Sequence, residues 1–388
     1  MDLAAEVAAL DERVLGPVVA QLLGRPVSLV AWTAIPLKYQ ATNALSEGIF
    51  RIGGTSRDAA GSRDWSVVLK VLRPAYDILL ARFPPEARPH LQEAYLWDRE
   101  MRAYESGLLD DLPAGFAAPR CLGVLREPAR CWLWLEDLGP SGRAWDVPRY
   151  ALAARHLGRF NGAAHQAAIL DVPWLSRDWL RTWLVSGFGS RADRWLEDDV
   201  IWAHQLVRSA FAAGTRARLR VLWAERVSVL DRLAALPATL CHLDAFRANL
   251  FDRTSPGGDP ETVAIDWSYI GLAPIGAEVA HLVMGSVSFA DYGQDIRALS
   301  SAALDAYLAG LRDSGWAGAE RDVRTGFALC AVRWVFMLNV LSAIADPARQ
   351  AALEKWAGQP FTDSVAQAGA RTAFLLDLLE SALATRRD

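Results

Sequence analysis

The stretch His242-Leu243-Asp244-Ala245-Phe246-Arg247-Ala248-Asn249, followed by Ile265-Asp266-Trp267, decides how this 388-residue chain is read. An apolar β-like run, Ala238 to Cys241, leads into His242. Asn249-Leu250-Phe251 and Val263-Ala264-Ile265 read as two short strands separated by the turn-rich Ser255-Pro256-Gly257-Gly258-Asp259-Pro260. That layout carries Asp244, Asn249 and Asp266 on one small hairpin. Three oxygen-bearing side chains held together suit a hard cation and a hydroxyl, because Mg²⁺ takes one or two carboxylates or carbonyls and fills its other positions with water and phosphate oxygens.

An Asp, four residues, an Asn, and a second Asp after a β-turn-β is also the spacing of the protein-kinase catalytic loop and metal site. The segment His242 to Asn249, the Ile265-Asp266-Trp267 strand end and the pattern downstream to Glu278 resemble the aminoglycoside phosphotransferase and choline kinase-like family of small-molecule kinases. That family writes Gly where Leu243 stands here; the Asp, the Asn and the second Asp are kept. The resemblance implies an α+β, bilobal protein-kinase-like fold. Residues 1–138 would form a nucleotide-binding N-lobe, a five-stranded antiparallel sheet plus helices, and residues 139–388 a mainly helical C-lobe with the catalytic β-hairpin and the acceptor site. It further implies Mg-ATP between the lobes and transfer of the γ-phosphoryl group to a hydroxyl of a small molecule. In those terms Asp244 is catalytic, His242 supports its loop, Asn249 and Asp266 hold Mg²⁺, and Glu278 takes a structural acid position at a helix start.

Upstream, Ser66-Val67-Val68-Leu69-Lys70-Val71-Leu72 alternates as a strand and puts Lys70 on the same side as Val68 and Leu72. Of 41 cationic residues only Lys38, Lys70 and Lys355 are Lys, so a Lys inside a Val/Leu strand needs a reason. A compact ammonium can serve paired α- and β-phosphate oxygens; an edge-strand gatekeeper is the other explanation. A phosphate-binding Lys needs a carboxylate to hold it, and the helix expected over 91–109 offers Glu100, with Glu93 in reserve. The loop Ala41 to Gly48 falls where the family places its nucleotide-covering turn, and Ser46 could offer a donor there. Leu135, Glu136 and Asp137 fall at the family's hinge, where backbone groups would pair with adenine.

Hydrophobic residues make up 52 % and charged residues 22 % of the chain, which suits a globular protein with a sizeable core. A net charge of −4 gives no electrostatic reason to bind nucleic acid or an acidic membrane. The four Cys are far apart in sequence and form no zinc pattern, so each reads as a small apolar side chain. The first 23 residues are acidic and amphipathic, read as one bracing helix, and lack the basic and apolar regions of a signal peptide; no window reads as a membrane span, and a cytoplasmic protein is expected. The Trp-rich, mildly acidic helices over 174–202 could line an acceptor pocket for an aminoglycoside, a sugar or an amino alcohol, or be core with a solvated acidic face. The rival from another class is a catalytically silent, nucleotide-binding regulatory protein.

Overall fold

Two short helices, α1 (Leu3–Ala8) and α2 (Glu12–Leu23), begin the part of the chain that the computed structural model describes, residues 2–37, 45–59, 61–81, 83–140, 144–165, 171–289 and 293–385. The helical spacing of residues 2–23 predicts one helix, and Asp11 divides it. Its carboxylate accepts from the N–H groups of Arg13 and Val14 at 3.0 and 3.2 Å and starts α2 as an N-cap.

Then come β1 (Ser28–Pro36), β2 (Ser46–Asp58), β3 (Gly61–Leu72), α3 (Tyr76–Leu80), α4 (Arg88–Ala94), α5 (Arg99–Glu105), β4 (Phe116–Ala117), β5 (Cys121–Glu127) and β6 (Arg130–Glu136). The sheet order is β1-β2-β3-β6-β5, with every neighbouring pair antiparallel, which is the expected five-stranded sheet. Period-2 alternation divides β3 between two faces. Val67, Leu69 and Val71 pack with Val7, Leu15 and Val19 of the two opening helices, while Val68 lies against the main core on the other side. Lys70 belongs to that second face.

The single helix expected over 91–109 is two. Arg99 sends Nη1 to the Ala94 carbonyl at 2.9 Å and Nη2 to the Glu93 carbonyl at 2.5 Å, so a buried guanidinium takes up the carbonyls at the end of α4 and lets the chain turn before α5.

After β6 the chain becomes helical: α6 (Val147–His165), α7 (Trp179–Arg181), α8 (Ala192–Leu196), α9 (Asp199–Ala203), α10 (Gln205–Ala210) and α11 (Thr215–Ala234). The Trp-rich helices expected over 174–202 are short ones, α7, α8 and α9, with α10 after them, and Asp198 and His204 cap α9 and α10. Four short strands follow, β7 (Ala238–Cys241), β8 (Leu250–Thr254), β9 (Pro260–Ala264) and β10 (Gly271–Pro274). The chain ends in α12 (Ala277–Ala280), α13 (Ser286–Phe289), α14 (Ile296–Asp313), α15 (Glu320–Val335), α16 (Asn339–Ala343), α17 (Pro347–Ala357) and α18 (Phe361–Ala384). The stretch Glu320–Ala343 does match a membrane span in length and composition, contrary to the reading of the sequence, and 83 % of its apolar window is packed inside the protein.

Candidate active site

β7 pairs with β10 (Cys241 opposite Gly271) and β8 with β9 (Leu250 opposite Ala264), so the loop 242–249 and the turn 265–270 connect the same two strand pairs. β10 was not expected from the sequence, and its pairing with β7 is what closes this frame. Two backbone positions inside the frame are unusual. Leu243 has φ 65° and Asp266 φ 61°, the two non-Gly residues with positive φ among the described residues. Asp tolerates the left-handed region because its short polar side chain bonds locally; a Leu there is strained.

Glu278, fully buried in α12, holds the strained loop from below. Its Oε2 accepts from the His242 N–H at 2.5 Å and its Oε1 from the Leu243 N–H at 3.2 Å. Burial pushes this carboxyl up to about 7, against the two N–H groups that favour the charged form. His242 ties the loop to the turn. Its Nδ1 accepts from the Asp244 N–H at 3.2 Å and its Nε2 donates to the Ile265 carbonyl at 2.9 Å, while its ring lies 4.5 Å from that of Trp267. Burial drives this imidazole down to about 4, so it is neutral and its tautomer is set by these two bonds.

Asp244 is half-buried. Asn249 Nδ2 donates to the Asp244 carbonyl at 2.9 Å and to its Oδ2 at 3.0 Å. Burial raises the Asp244 carboxyl to about 7, and Arg333 is the leading influence in the opposite direction. A carboxyl poised there can change protonation near neutral pH.

Lys70, 5 % exposed, joins the two halves of the site. Its Nζ lies 2.6 Å from Glu100 Oε2 on α5 and 2.8 Å from Asp266 Oδ1 in the turn after β9. Burial raises the Glu100 carboxyl, with Lys70 opposing. Burial would also raise Asp266, but the Lys70 ammonium overrides it and holds that carboxyl below its usual range. Glu93, the reserve partner, is instead near Arg99 (3.8 Å) and half exposed. Asp266 is therefore ionised, and the Asn249 side chain, whose Nδ2 is engaged by Asp244, also carries an acceptor oxygen. One carboxylate and one amide oxygen are the kind of partial set that suits Mg²⁺ bound jointly with phosphate. No group of three His, Cys, Asp or Glu side chains gathers as a metal site of its own among the described residues.

The remaining expected residues are placed differently. Ser46 is the first residue of β2, opposite Leu72, rather than part of a loop, because β2 pairs with β3 over its whole length; residues 41–44 of that loop lie outside the described residues. Leu135 and Glu136 are strand residues of β6, opposite Val68 and Val67. The Glu136 N–H donates to the Arg120 carbonyl at 3.0 Å, which continues the sheet pairing to the end of β6. Asp137 accepts from Arg51 at 2.7 and 3.0 Å, from Ser66 at 2.5 Å and from the Gly139 N–H at 2.9 Å, which closes the turn after β6.

Of the Trp-rich segment, Trp179, Trp183 and Trp195 are buried, and Glu197 and Asp199 pair with Arg220 and Arg216 on the surface. Two residues escaped the sequence reading. Arg99 fixes α5 by donating to the Trp174 carbonyl at 2.9 Å and, across the site, to the Ser268 carbonyl at 3.1 Å. Arg333 lies buried on α15, close enough to Asp244 for its charge to be felt. The signal for Arg333 was available, since it interrupts the apolar run Phe327-Ala328-Leu329-Cys330-Ala331-Val332 and Trp334-Val335-Phe336.

No protein-family model matches the sequence, and no curated protein matches it in sequence. Solved structures similar in fold include an amicoumacin kinase in complex with AMP-PNP, Ca²⁺ and Ami, at 13 % identity and TM-score 0.44 over 94 % of this chain and 96 % of that one. An aminoglycoside phosphotransferase from Alicyclobacillus acidocaldarius matches at 18 % identity and TM-score 0.43, over 90 % and 98 %. A spectinomycin phosphotransferase in complex with ADP and spectinomycin matches at 12 % identity and TM-score 0.46, over 94 % and 99 %. At these values the likenesses transfer no residue role, and the functional reading rests on the geometry above.

Proposed function

We propose that the chain is a small-molecule phosphotransferase that moves the γ-phosphoryl group of ATP to an alcohol, with the nucleotide held between residues 1–138 and 139–388. The observation that carries this reading is the Lys70 ammonium shared by Glu100 (2.6 Å) and Asp266 (2.8 Å), with Asp244 and Asn249 bonded to each other on the adjoining loop. In this reading Lys70, kept in place by Glu100, neutralises α- and β-phosphate oxygens. Asn249 and Asp266 would hold Mg²⁺, which would supply charge neutralisation at the phosphates. Asp244 receives the hydrogen bond of the acceptor hydroxyl and takes its proton as the acceptor oxygen bonds to phosphorus and the bond to ADP breaks. His242 is a positioning residue, since both ring nitrogens are committed to the loop backbone. Catalysis of this kind is mainly placement and electrostatic stabilisation.

The test is ADP release with Mg-ATP across aminoglycosides, macrolides, choline-like amines, sugars and homoserine, with Asp244→Asn and Asp266→Ala beside the wild type. Turnover on one acceptor class that falls at least about a hundredfold in both variants supports the reading. Wild-type-like turnover in Asp266→Ala overturns it. Nucleotide binding with no transfer to any acceptor of the panel would favour a nucleotide-binding regulatory protein over the kinase reading, the other explanation being an acceptor outside the panel.

A further inference from the structure

The acceptor side of Asp244 is built around a cation that belongs to the chain. The guanidinium of Arg333 lies over two indole rings, 4.2 Å from the Trp179 centroid and 4.3 Å from that of Trp334. Arg333 is 5 % exposed, and its Nε and Nη1 have no hydrogen-bond partner among the described residues. The indole N–H groups of Trp179 and Trp334 are likewise buried and unpaired, as is Nε2 of His281, whose ring lies 6.0 and 5.9 Å from theirs. The His281 Nδ1 is 2.8 Å from the Ala277 carbonyl and donates to it, so its Nε2 is an acceptor.

This group is continuous with the catalytic loop. The Trp179 ring packs on Tyr269, three residues past Asp266, at 5.5 Å, and Tyr269 packs on Tyr95 at 5.9 Å. On the other side a Cβ at Gly285 would meet Phe246 at 2.9 Å and Trp334 at 3.2 Å, and Phe246 is two residues past Asp244. The charge of Arg333 acts on Asp244, Tyr95 and Tyr269 together.

A buried charge is retained when it is paired, and a buried donor when it is bonded. Here two nitrogens of one guanidinium and two indole N–H groups are left without a hydrogen-bond partner, in a segment beside the group that would take the acceptor's proton. An aromatic box that received a quaternary amine or a polyamine from outside would keep its ring faces open for that cation. Here Arg333 takes one face of each indole.

We propose that Arg333, with the indole N–H groups of Trp179 and Trp334, is an anion-binding subsite for the acceptor, and that the acceptor carries an oxyanion as well as the hydroxyl that Asp244 addresses. The acceptor is then a hydroxylated carboxylate or phosphate ester rather than an aminoglycoside or choline. This rests on the phosphotransferase reading for the role of Asp244 but concerns binding, which is measured without turnover.

The experiment is calorimetric titration of the wild type with gluconate, glucuronate and glycerol 3-phosphate, each beside a neutral counterpart (gluconamide, glucuronamide, glycerol), and with choline and kanamycin. The set is repeated with Arg333→Gln and Arg333→Lys. At least one anion should bind roughly 10- to 100-fold more tightly than its neutral counterpart, the size of one charge-assisted contact. The carboxylates and the phosphate ester separate the two sources of oxyanion. Arg333→Gln should lose the preference and Arg333→Lys keep part of it, with Mg-ADP binding unchanged in both as the check on folding; if Arg333→Gln does not fold, Arg333→Lys carries the comparison. The proposal is overturned if neutral or cationic compounds bind as well as the anions, if no anion binds, or if the preference survives unreduced in the variants. Anion binding without phosphoryl transfer would keep the subsite and remove the kinase reading. Transfer to a hydroxyl of a cationic acceptor, with no preference for anions, would do the reverse.

Discussion

Leu243 gives a test in which the ordinary order of two substitutions reverses. The residue is 3 % exposed and packs in the main core, yet its φ is 65°. Truncating a buried Leu to Ala costs about 2–5 kcal/mol, and Leu243→Ala also keeps the left-handed strain of about 1–2 kcal/mol. Leu243→Gly loses the same packing but releases the strain, against a loss of about 0.4–1 kcal/mol from the freer unfolded chain. Gly should therefore be the more stable of the two by about 1 kcal/mol, since Ala at positive φ is destabilising by more than its entropic advantage. Leu250, seven residues on, is an internal control: it is fully buried with φ −122°, where Ala should exceed Gly by about 0.5–1 kcal/mol. Urea unfolding of the four variants, compared by midpoint at common slope, gives both differences. Leu243→Ala at or above Leu243→Gly, with Leu250 in the ordinary order, would refute the claim that this loop stores backbone strain.

Three further outcomes follow from the charges of the site. With the Asp244 carboxyl at about 7, wild-type kcat/KM should rise about tenfold from pH 6 to pH 8, because the active form is the deprotonated one, and the rise should vanish in Asp244→Asn; a flat wild-type profile contradicts the base role. Removing Lys70 as Lys70→Met leaves Glu100, 1 % exposed, without its cation, which should cost about 3–5 kcal/mol, and adding Glu100→Gln should restore part of that stability but no activity. Urea unfolding measures this, and a loss below about 1 kcal/mol for Lys70→Met would show that the pair is not held as the structure has it. Glu278 has a folded-state value of about 7 against an ordinary 4.5, so the folded form binds a proton that the unfolded form has released between those values. Its contribution is fully present below about pH 4.5 and is lost as pH rises to about 7, roughly 3 kcal/mol over the window. The stability of the wild type relative to Glu278→Gln should fall by that order from pH 4.5 to 7, and a constant difference would show that Glu278 stays ionised throughout.

Much of the fold was legible because the signals were local. Alternation in Ser66–Leu72 put Lys70 opposite Val67, Leu69 and Val71, and β3 has those two faces. Turn residues at 255–260 marked the β8–β9 hairpin, and the change from strand to helix after β6 was visible in composition. Helix boundaries were less legible, because the breaks at Asp11 and before Arg99 depend on side chains that cap backbone groups, one of them a guanidinium whose other bonds reach Trp174 and Ser268. Periodicity continues through such residues. The placement of Glu136 inside β6 was less legible for a similar reason, since its N–H bonds to Arg120, a partner 16 residues away in sequence.

The two sides of the site differ in how far apart their residues lie along the chain. The loop 242–249, the turn at 265–270 and Glu278 fall within 37 residues, and their spacing survives as a pattern even though Leu243 replaces the expected Gly. Glu278 explains how that replacement is tolerated, because it accepts from the consecutive N–H groups of His242 and Leu243 and holds the left-handed turn that a Gly would adopt at lower cost. The acceptor side is assembled from Tyr95, Trp179, Tyr269, His281 and Arg333, which come together only through the packing of α15 against α12 and the short helices around Trp179. In sequence those Trp residues fit an open cage for a cation equally well. The position of one Arg between two of them reverses the sign of the ligand, and no spacing rule carries that information.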